Sequence, residues 1–141
     1  MEELQELMAK MIALSGVMPE ILKRSFENIK PEVEDANIAQ LEQGIKADGT
    51  SMPNYSVTSI MKFGKRPGPM NLRDKGDFHR GITLNVGASG IELIGNDLKT
   101  DMLELRYGST IIGLTAQSKK IIEESYLREQ VQKQIAEYFN K

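Results

Sequence analysis

The sequence contains no cysteine, a single histidine and few aromatic residues, and it has no long hydrophobic run. Without cysteine there is no disulfide, no thiolate metal site and no cysteine nucleophile. No segment approaches the roughly 18 uncharged apolar residues that a membrane-spanning helix needs, so we expect no membrane contact. The first residues, Met1-Glu2-Glu3-Leu4, are acidic where a secretory signal would be basic, and we therefore expect an intracellular site of synthesis.

The length of 141 residues, with 40% hydrophobic and 27% charged residues, is typical of one soluble domain. The net charge of −2 hides a gradient along the chain. Residues 1–50 hold 5 basic and 10 acidic side chains, residues 51–96 hold 6 and 3, and residues 97–141 hold 7 of each. We divide the single domain 1–141 into N-terminal helices (1–48), a middle part with a basic loop, short helices and a β-hairpin (49–96), and C-terminal helices (97–141).

Helical periodicity dominates residues 1–48. Apolar side chains first recur at the spacing i, i+3, i+4, i+7 and i+8, which predicts an amphipathic helix that ends near Gly16. A second helical pattern continues to Lys30, where Pro31 either starts a new helix or kinks a long one. The helical pattern that follows Pro31 extends to Ala47. The apolar residues that define the first helix are Leu4, Leu7, Met8, Met11 and Ile12.

Turns and short elements alternate in the middle of the chain. Ser56 is predicted to cap a short helix, and the two prolines and two glycines within residues 64–69 predict a loop. Apolar and polar residues alternate over residues 82–86 and again over residues 91–93. With the four-residue turn 87–90 between them, these segments predict a β-hairpin.

The C-terminal part is predicted to be helical. Asp97 at an N-cap position and Gly108 at a left-handed C-terminal position bracket a helix over residues 98–107. Thr115 is predicted to cap a final helix that runs almost to the C-terminus. The expected core residues of that helix are Ile122, Leu127, Val131, Ile135 and Phe139. The fold class is therefore α+β, a helix-rich single domain with a small β-hairpin and long N- and C-terminal helices.

Groups that support catalysis or bind a metal are sparse. His79 lies near Asp77, which could orient an imidazole base, but a lone histidine is far more often a surface or packing residue. Asp74 and Asp77 lack a third ligand, so acidic caps at a helix N-terminus are favoured over a cation site. No glycine-rich phosphate loop is present. We therefore predict no enzymatic activity, no catalytic or metal-binding residue and no cofactor.

Basic side chains concentrate in residues 62–80, where six of them stand against Asp74 and Asp77 and give a net charge of +4. Such a segment could neutralise phosphates and contact DNA without reading its sequence, or it could be a solvated loop. The candidate contacts to DNA or to a protein partner are Lys62, Lys65, Arg66, Arg73, Lys75 and Arg80. The amphipathic residues 1–15 can pack on this domain or on a neighbouring subunit with equal ease.

The order of motifs in residues 50–115 resembles the small neck and tail-completion proteins of tailed bacteriophages. Met52-Pro53-Asn54-Tyr55-Ser56 lies where that group has a proline followed by Tyr/Leu-Ser. The segment from Leu72 to Ile82 lies where the group has the pattern Leu-x-x-Thr-Gly-x-Leu/Phe-x-x-Ser/Gly-Ile. Lys75 and Ser59 stand where threonine is usual, which leaves Asp74 as the expected helix cap.

A later segment, from Leu105 to Leu114, is similar to a stretch in proteins of phages that infect Bacteroides-type hosts, including the crAss-like group. The resemblance gives this segment and the preceding motif a role in folding, as turns, an aromatic anchor and a chain reversal into the strand. The residues that carry the resemblance are Tyr55, Leu72, Gly76, Phe78, Gly81, Tyr107, Gly108 and Gly113.

The resemblance implies a non-enzymatic structural protein of the virion, made in the cytoplasm of the host bacterium. Copies in that group form a homo-oligomeric ring around the DNA channel of the head-tail connector, through interfaces that close on themselves. The implied partners are other copies of the chain and the portal, connector and tail proteins, with the basic loop facing DNA or an adjacent ring. The alternative is a small non-specific DNA-binding accessory protein that uses residues 62–80.

Overall fold

Long helices at the two ends of the chain pack against each other in the computed structural model, which describes residues 2–87 and 90–140. The predicted α+β architecture, helix-rich with one small hairpin and long terminal helices, is confirmed. In chain order the elements are α1 (Glu2–Asn28), α2 (Lys30–Glu42), α3 (Val57–Phe63), α4 (Asp77–Arg80), β1 (Ile82–Gly87), β2 (Gly90–Gly95), α5 (Thr100–Tyr107), a 3₁₀ turn (Ser109–Ile111), α6 (Ala116–Ile122), a π-helical turn (Glu123–Leu127) and α7 (Arg128–Phe139).

Helix α1 is longer than the sequence suggests. The predicted end near Gly16 is wrong, because the helix continues through Gly16 and Pro19 to Asn28. A glycine inside a helix costs about 1 kcal/mol and a proline about 3 kcal/mol relative to alanine. The second half of α1 offsets that cost by packing, since Ile21 and Ser25 are buried and the Ser25 hydroxyl donates to the Ile21 carbonyl at 2.7 Å. Tertiary packing therefore overrides two local helix breakers.

Helix α2 starts where Pro31 allows a start. Its first residue is Lys30 and Pro31 lies in the first turn, where the missing backbone N–H needs no partner. The sequence leaves open a new helix or a kink, and the structure has a new helix. Ile29, at the junction, is buried, and its N–H still donates to the Ser25 carbonyl. The junction is consequently tight and belongs to the core.

Helix α2 ends at Glu42, earlier than the predicted end at Ala47. The cause is Gly44, which has a φ of 71° and lies against the loop of residues 64–69. A Cβ atom at this position would stand 2.4 Å from the Cβ atom of Pro69. Only glycine combines this backbone conformation with so close an approach. The contact fixes the basic loop against the end of α2.

The predicted hairpin is confirmed, with β1 and β2 antiparallel and Ile82 opposite Gly95. Residues 88 and 89 of the predicted turn lie outside the described residues. Leu84 of β1 is buried, and its N–H donates to the carboxylate of Glu34 on α2 at 2.7 Å. This hydrogen bond attaches β1 to α2, in addition to the pairing of β1 with β2.

The core consists of two clusters of buried apolar side chains. One cluster joins α2, β1 and α6 through Ile29, Val33, Leu84, Leu114 and Ile122. The other joins the end of α2 to the middle of the chain through Leu41, Met52, Phe78, Ile82 and Ile111. The half-buried Leu93 of β2 packs against both clusters. The hairpin thus links the terminal helices to the segment that carries the motifs.

The helix predicted over residues 98–107 exists but begins at Thr100. Asp97 does not cap it as predicted; its carboxylate accepts from the N–H of Lys99 in the turn before the helix. Gly108 ends the helix with φ 95° and ψ 161°, which is not the left-handed helical conformation that the sequence predicts. The chain leaves α5 extended there and turns directly into the 3₁₀ segment.

The final helical segment is confirmed and runs to Phe139 with one π-helical turn in its middle. Thr115 caps it as predicted, accepting from the N–H of Ser118 at 3.1 Å. The core prediction holds fully only for Ile122, because the other four side chains named for it are half-buried. Helix α7 lies antiparallel to α1, since Asn28 contacts Gln130 and a small cavity is lined by Val17, Ile21 and, near the end of α7, Tyr138.

Candidate functional site

The motif segment is organised around Asn71, a residue that the sequence analysis did not single out. The Tyr55 hydroxyl donates to the Asn71 side-chain oxygen at 2.8 Å and accepts from the Asn71 N–H at 3.2 Å. The same side-chain oxygen accepts from the N–H of Arg73 at 3.0 Å. Between them Leu72 has a φ of 57°, which is uncommon for a residue with a Cβ atom. The hydrogen bonds of Asn71 hold this strained turn, and no local sequence pattern marks them.

Helix α4 begins at a glycine rather than at an acidic cap. Gly76 has a φ of 84° and precedes the helix without a side-chain cap, so the expectation that Asp74 caps it is wrong. A Cβ atom at Gly76 would lie 2.8 Å from the Arg80 guanidinium. Gly81, at the other end, lies so close to the Asp97 backbone that a Cβ atom would stand 2.9 Å from its nitrogen. Phe78 between them is 2% exposed and belongs to the second core cluster.

His79 is enclosed by the protein, with 1% of its surface exposed. Its Nε2 donates to the Asn71 carbonyl at 2.6 Å, and burial lowers its pKa below the usual 6.5. The carboxylate of Asp77 does not orient the ring, because it pairs with Arg80. The only histidine of the chain is therefore a neutral packing residue that holds Asn71 from inside.

Two of the six predicted basic contact residues are neutralised by carboxylates. Arg73 pairs with Glu42 of α2 at 2.5 Å, and Arg80 pairs with Asp77. Nothing in the sequence around Arg73 points to Glu42, which lies 31 residues away. In the part of the chain that the structure describes, the other four basic residues form no ion pair: Lys62, Lys65, Arg66 and Lys75.

The four basic residues without an ion pair differ in how exposed they are and in what their side chains contact. Lys65 is half-buried, donates to the Arg73 carbonyl at 3.0 Å and lies 5.6 Å from the centre of the Tyr55 ring. Lys62 is exposed, 5.5 Å from the Phe63 ring. Arg66 and Lys75 are exposed as well. The predicted basic patch thus shrinks to these four side chains around α3 and the loop that follows it.

A cavity of about 400 Å³ lies between the motif segment and α5. It gathers Lys65, Arg73 and Lys75 from the predicted set and adds Lys99 and Arg106, which sequence reasoning missed. No local signal could have found these two, because only the fold brings α5 next to the motif segment. Its complete lining is Tyr55, Ser59, Lys65, Met70, Leu72, Arg73, Asp74, Lys75, Asp77, Phe78, Lys99, Leu103, Arg106 and Tyr107. Lys62, Arg66 and Arg80 are not among the lining residues.

The later motif residues attach the chain to α2 through a buried polar network. The N–H of Gly113 donates to Asn37 at 3.0 Å, and its carbonyl accepts from Gln40 at 2.9 Å. The carbonyl of Tyr107 accepts from the ammonium group of Lys46 at 2.9 Å. Asn37 and Gln40 are buried on α2, and the sequence pattern predicts no structural or functional role for either. These contacts make the later motif a structural anchor.

Three helices expose apolar side chains to an unusual degree. On α3 the exposed fraction is 71% for Val57 and 81% for Met61, and on α5 it is 90% for Leu105. On the first half of α1 the predicted apolar face is itself exposed. Its members and their exposed fractions are Leu4 (64%), Leu7 (48%), Met8 (65%), Met11 (57%) and Ile12 (67%). Single exposed apolar residues are ordinary, but contiguous apolar faces mark interaction surfaces.

Within residues 2–87 and 90–140, no cluster of three or more metal-binding side chains occurs, and no helix is both long and apolar enough to span a membrane. No known family model matches this sequence, and no curated protein or solved structure matches it either.

Proposed function

We propose that this chain is a non-enzymatic structural protein of a tailed-phage virion, which forms a homo-oligomeric ring in the head-tail connector around the DNA channel. The observation that carries the proposal is the amount of apolar side chain left uncovered on α1, α3 and α5. An assembly protein covers such faces with neighbouring subunits, whereas a monomer leaves them in water at a cost in solubility. The motif resemblance in residues 50–115 supports the same class.

The chemistry of the polar residues supports a structural role. His79 has no access to a substrate and is bound to the Asn71 carbonyl. Asp77, the carboxylate nearest to it in sequence, is paired with Arg80. Asn71 and Gln40 use their polar atoms on backbone groups of this chain. The polar residues of the motif segment thus hold loops in place.

The basic cavity suits a position next to DNA or next to an adjacent ring. Five basic side chains and two carboxylates line it; because Arg73 and Asp77 are each paired with a residue outside the lining, four basic side chains remain against Asp74. Contacts to phosphates carry no sequence information. A channel through which DNA of any sequence passes requires contacts of this kind. We place this side toward the DNA channel or the neighbouring virion protein.

The test is made on particles of the phage that encodes the chain. Mass spectrometry of purified particles should find the protein in a fixed ratio to the portal protein. An amber mutation in its gene should leave filled heads and finished tails unjoined, and the wild-type protein added to that extract should restore infectivity. Particles that lack the protein, or that infect normally without it, would refute the proposal.

The second candidate, a small non-specific DNA-binding protein, is favoured by the unpaired Lys62, Lys65, Arg66 and Lys75. Its affinity for duplex DNA should fall with salt with a logarithmic slope of about −0.9 for each phosphate neutralised. The variant Lys62→Glu/Arg66→Glu should weaken binding and flatten this slope, whereas Lys119→Glu/Lys120→Glu, at exposed positions of α6, should change neither. Absence of binding to duplex DNA at low salt would remove this candidate.

A further inference from the structure

The first half of α1 carries an apolar stripe that nothing in the described chain covers. Along the helix the stripe has the alternating three- and four-residue spacing of helices that pack side by side. Its buried end packs against α7, and its exposed end extends beyond Val17, near which α7 finishes. Residues 2–16 therefore project as about 22 Å of helix, at 1.5 Å per residue. The exposed residues of the stripe are Leu4, Leu7 and Met11; Leu14 and Met18 are half-buried, and the same spacing leads to the buried Ile21.

The charges beside the exposed end of this stripe are mostly negative. Glu2, Glu3 and Glu6 are exposed in the first two turns of α1, and Lys10 is the only basic residue among residues 2–16. An apolar stripe flanked by carboxylates fits an apolar surface flanked by basic groups. Two such helices paired with each other would instead bring like charges together.

The same chain carries the matching surface on α3. Val57 and Met61 lie one helical turn apart, and 71% and 81% of their surfaces are exposed. Lys62 follows Met61 on α3, and Arg66 is exposed in the loop after the helix, where it also borders a cavity with Glu42 and Arg73; neither Lys62 nor Arg66 has an ion pair among the described residues. Residues 49–73 contain no acidic residue at all. The exposed face of α3 and its basic neighbours therefore have the opposite charge and the same apolar character as the end of α1.

We propose that residues 2–16 of α1 dock on the α3 surface (Val57, Met61, Lys62 and Arg66) of a second copy of this chain. The inference rests on the proposed function and names the subunit contact within it. Two different surfaces meet in such a contact, so it is heterologous, and each copy offers one acidic helix and one basic acceptor. Repetition of a heterologous contact closes into a ring when the rotation between copies permits.

The test uses two charge reversals in the full-length protein, measured by native mass spectrometry and size-exclusion chromatography. Glu3→Lys/Glu6→Lys makes the helix basic, and Lys62→Glu/Arg66→Glu makes the acceptor acidic. Each variant alone then opposes like charges, so its assembly should weaken at least about 100-fold, since such juxtaposition costs several kcal/mol. An equimolar mixture should assemble again, because every helix in it finds an acceptor of opposite charge.

Matched controls separate this effect from net charge. Glu123→Lys/Glu124→Lys and Lys119→Glu/Lys120→Glu change the charge equally at exposed positions elsewhere, and both should assemble as the wild type does. Recovery in the mixture also shows that both reversed chains fold. The inference is overturned if the wild type stays monomeric, if Lys62→Glu/Arg66→Glu assembles normally, or if the mixture fails to recover. These results leave the particle test of the proposed function untouched, so the two can fail separately.

Discussion

Replacement of Gly44 by alanine tests how the basic loop is held against α2. The φ of 71° alone costs a side-chain-bearing residue about 1–2 kcal/mol. The new Cβ atom would also stand 2.4 Å from the Cβ atom of Pro69 and 3.0 Å from the Met70 carbonyl oxygen. Neither atom belongs to a flexible side-chain end, so the loop must move, at about 1–3 kcal/mol for overpacking. We expect Gly44→Ala to lower the free energy of unfolding by about 2–5 kcal/mol.

Two glycines of the same chain separate the two contributions. Gly64 has a φ of 66°, and no atom lies within 4 Å of the position that an alanine methyl group would occupy. Gly64→Ala should therefore lose only the backbone part, about 1–2 kcal/mol. Gly16 lies inside α1 with a helical backbone and open space, so Gly16→Ala should raise stability by about 0.5–1 kcal/mol.

The assay is urea unfolding followed by circular dichroism. For small domains the free energy of unfolding changes by about 1–3 kcal/mol per molar urea, so a loss of about 3 kcal/mol lowers the midpoint by about 1–3 M. Equal destabilisation by Gly44→Ala and Gly64→Ala would refute the close contact between Gly44 and Pro69, and with it the anchoring of the basic loop on α2.

Three further changes test other parts of the structure. Burial lowers the pKa of His79 below 6.5, so the unfolded chain binds the proton more readily than the folded chain. The contribution of His79 to stability should therefore be complete above pH 6.5 and fall as the pH drops below it. In urea titrations at about pH 7.5 and 5.5, His79→Gln should reduce this pH dependence. Thr115→Ala should cost about 1 kcal/mol of unfolding free energy through the lost cap, whereas Gln117→Ala in the same turn should change it by less than about 0.5 kcal/mol. Glu42→Gln releases Arg73 from an exposed ion pair and should lower the free energy of unfolding by less than about 1 kcal/mol. If the chain is a DNA-binding protein, the same change should steepen the salt dependence of duplex binding by about one phosphate. An unchanged slope would place Arg73 away from DNA.

The elements that could be predicted from the sequence are those whose signals are local. Ser56 and Thr115 cap their helices through hydrogen bonds to residues three positions further on, and the hairpin follows from alternation on both sides of one turn. The ends of α1 and α2 could not be predicted, because they depend on partners far along the chain. Gly16 fails to stop α1 because the later half of the helix is packed, and Gly44 stops α2 because Pro69 lies against it.

The candidate site divides in the same way. The concentration of positive charge around residues 62–75 is visible in the sequence, but its distribution in space is not. Glu42 removes Arg73 from the free charges, while Lys99 and Arg106 join the cavity from α5 and the turn before it. Asn71, the residue that organises the motif segment, has a side chain too common in turns to be recognised without its partners.

The apolar periodicity of a helix predicts that the helix forms, but it does not tell which face is covered. Around α5 the residues Leu98, Met102 and Leu105 provide the helical pattern, yet the structure exposes all three and instead turns Thr100 and Leu103 toward the protein. The first half of α1 shows the same outcome, since its regular apolar face is the exposed one. An apolar stripe indicates core when a single chain is considered alone, because such a chain offers no other use for it. A chain that assembles does offer one, and stripes left uncovered by the fold are where its neighbours are expected.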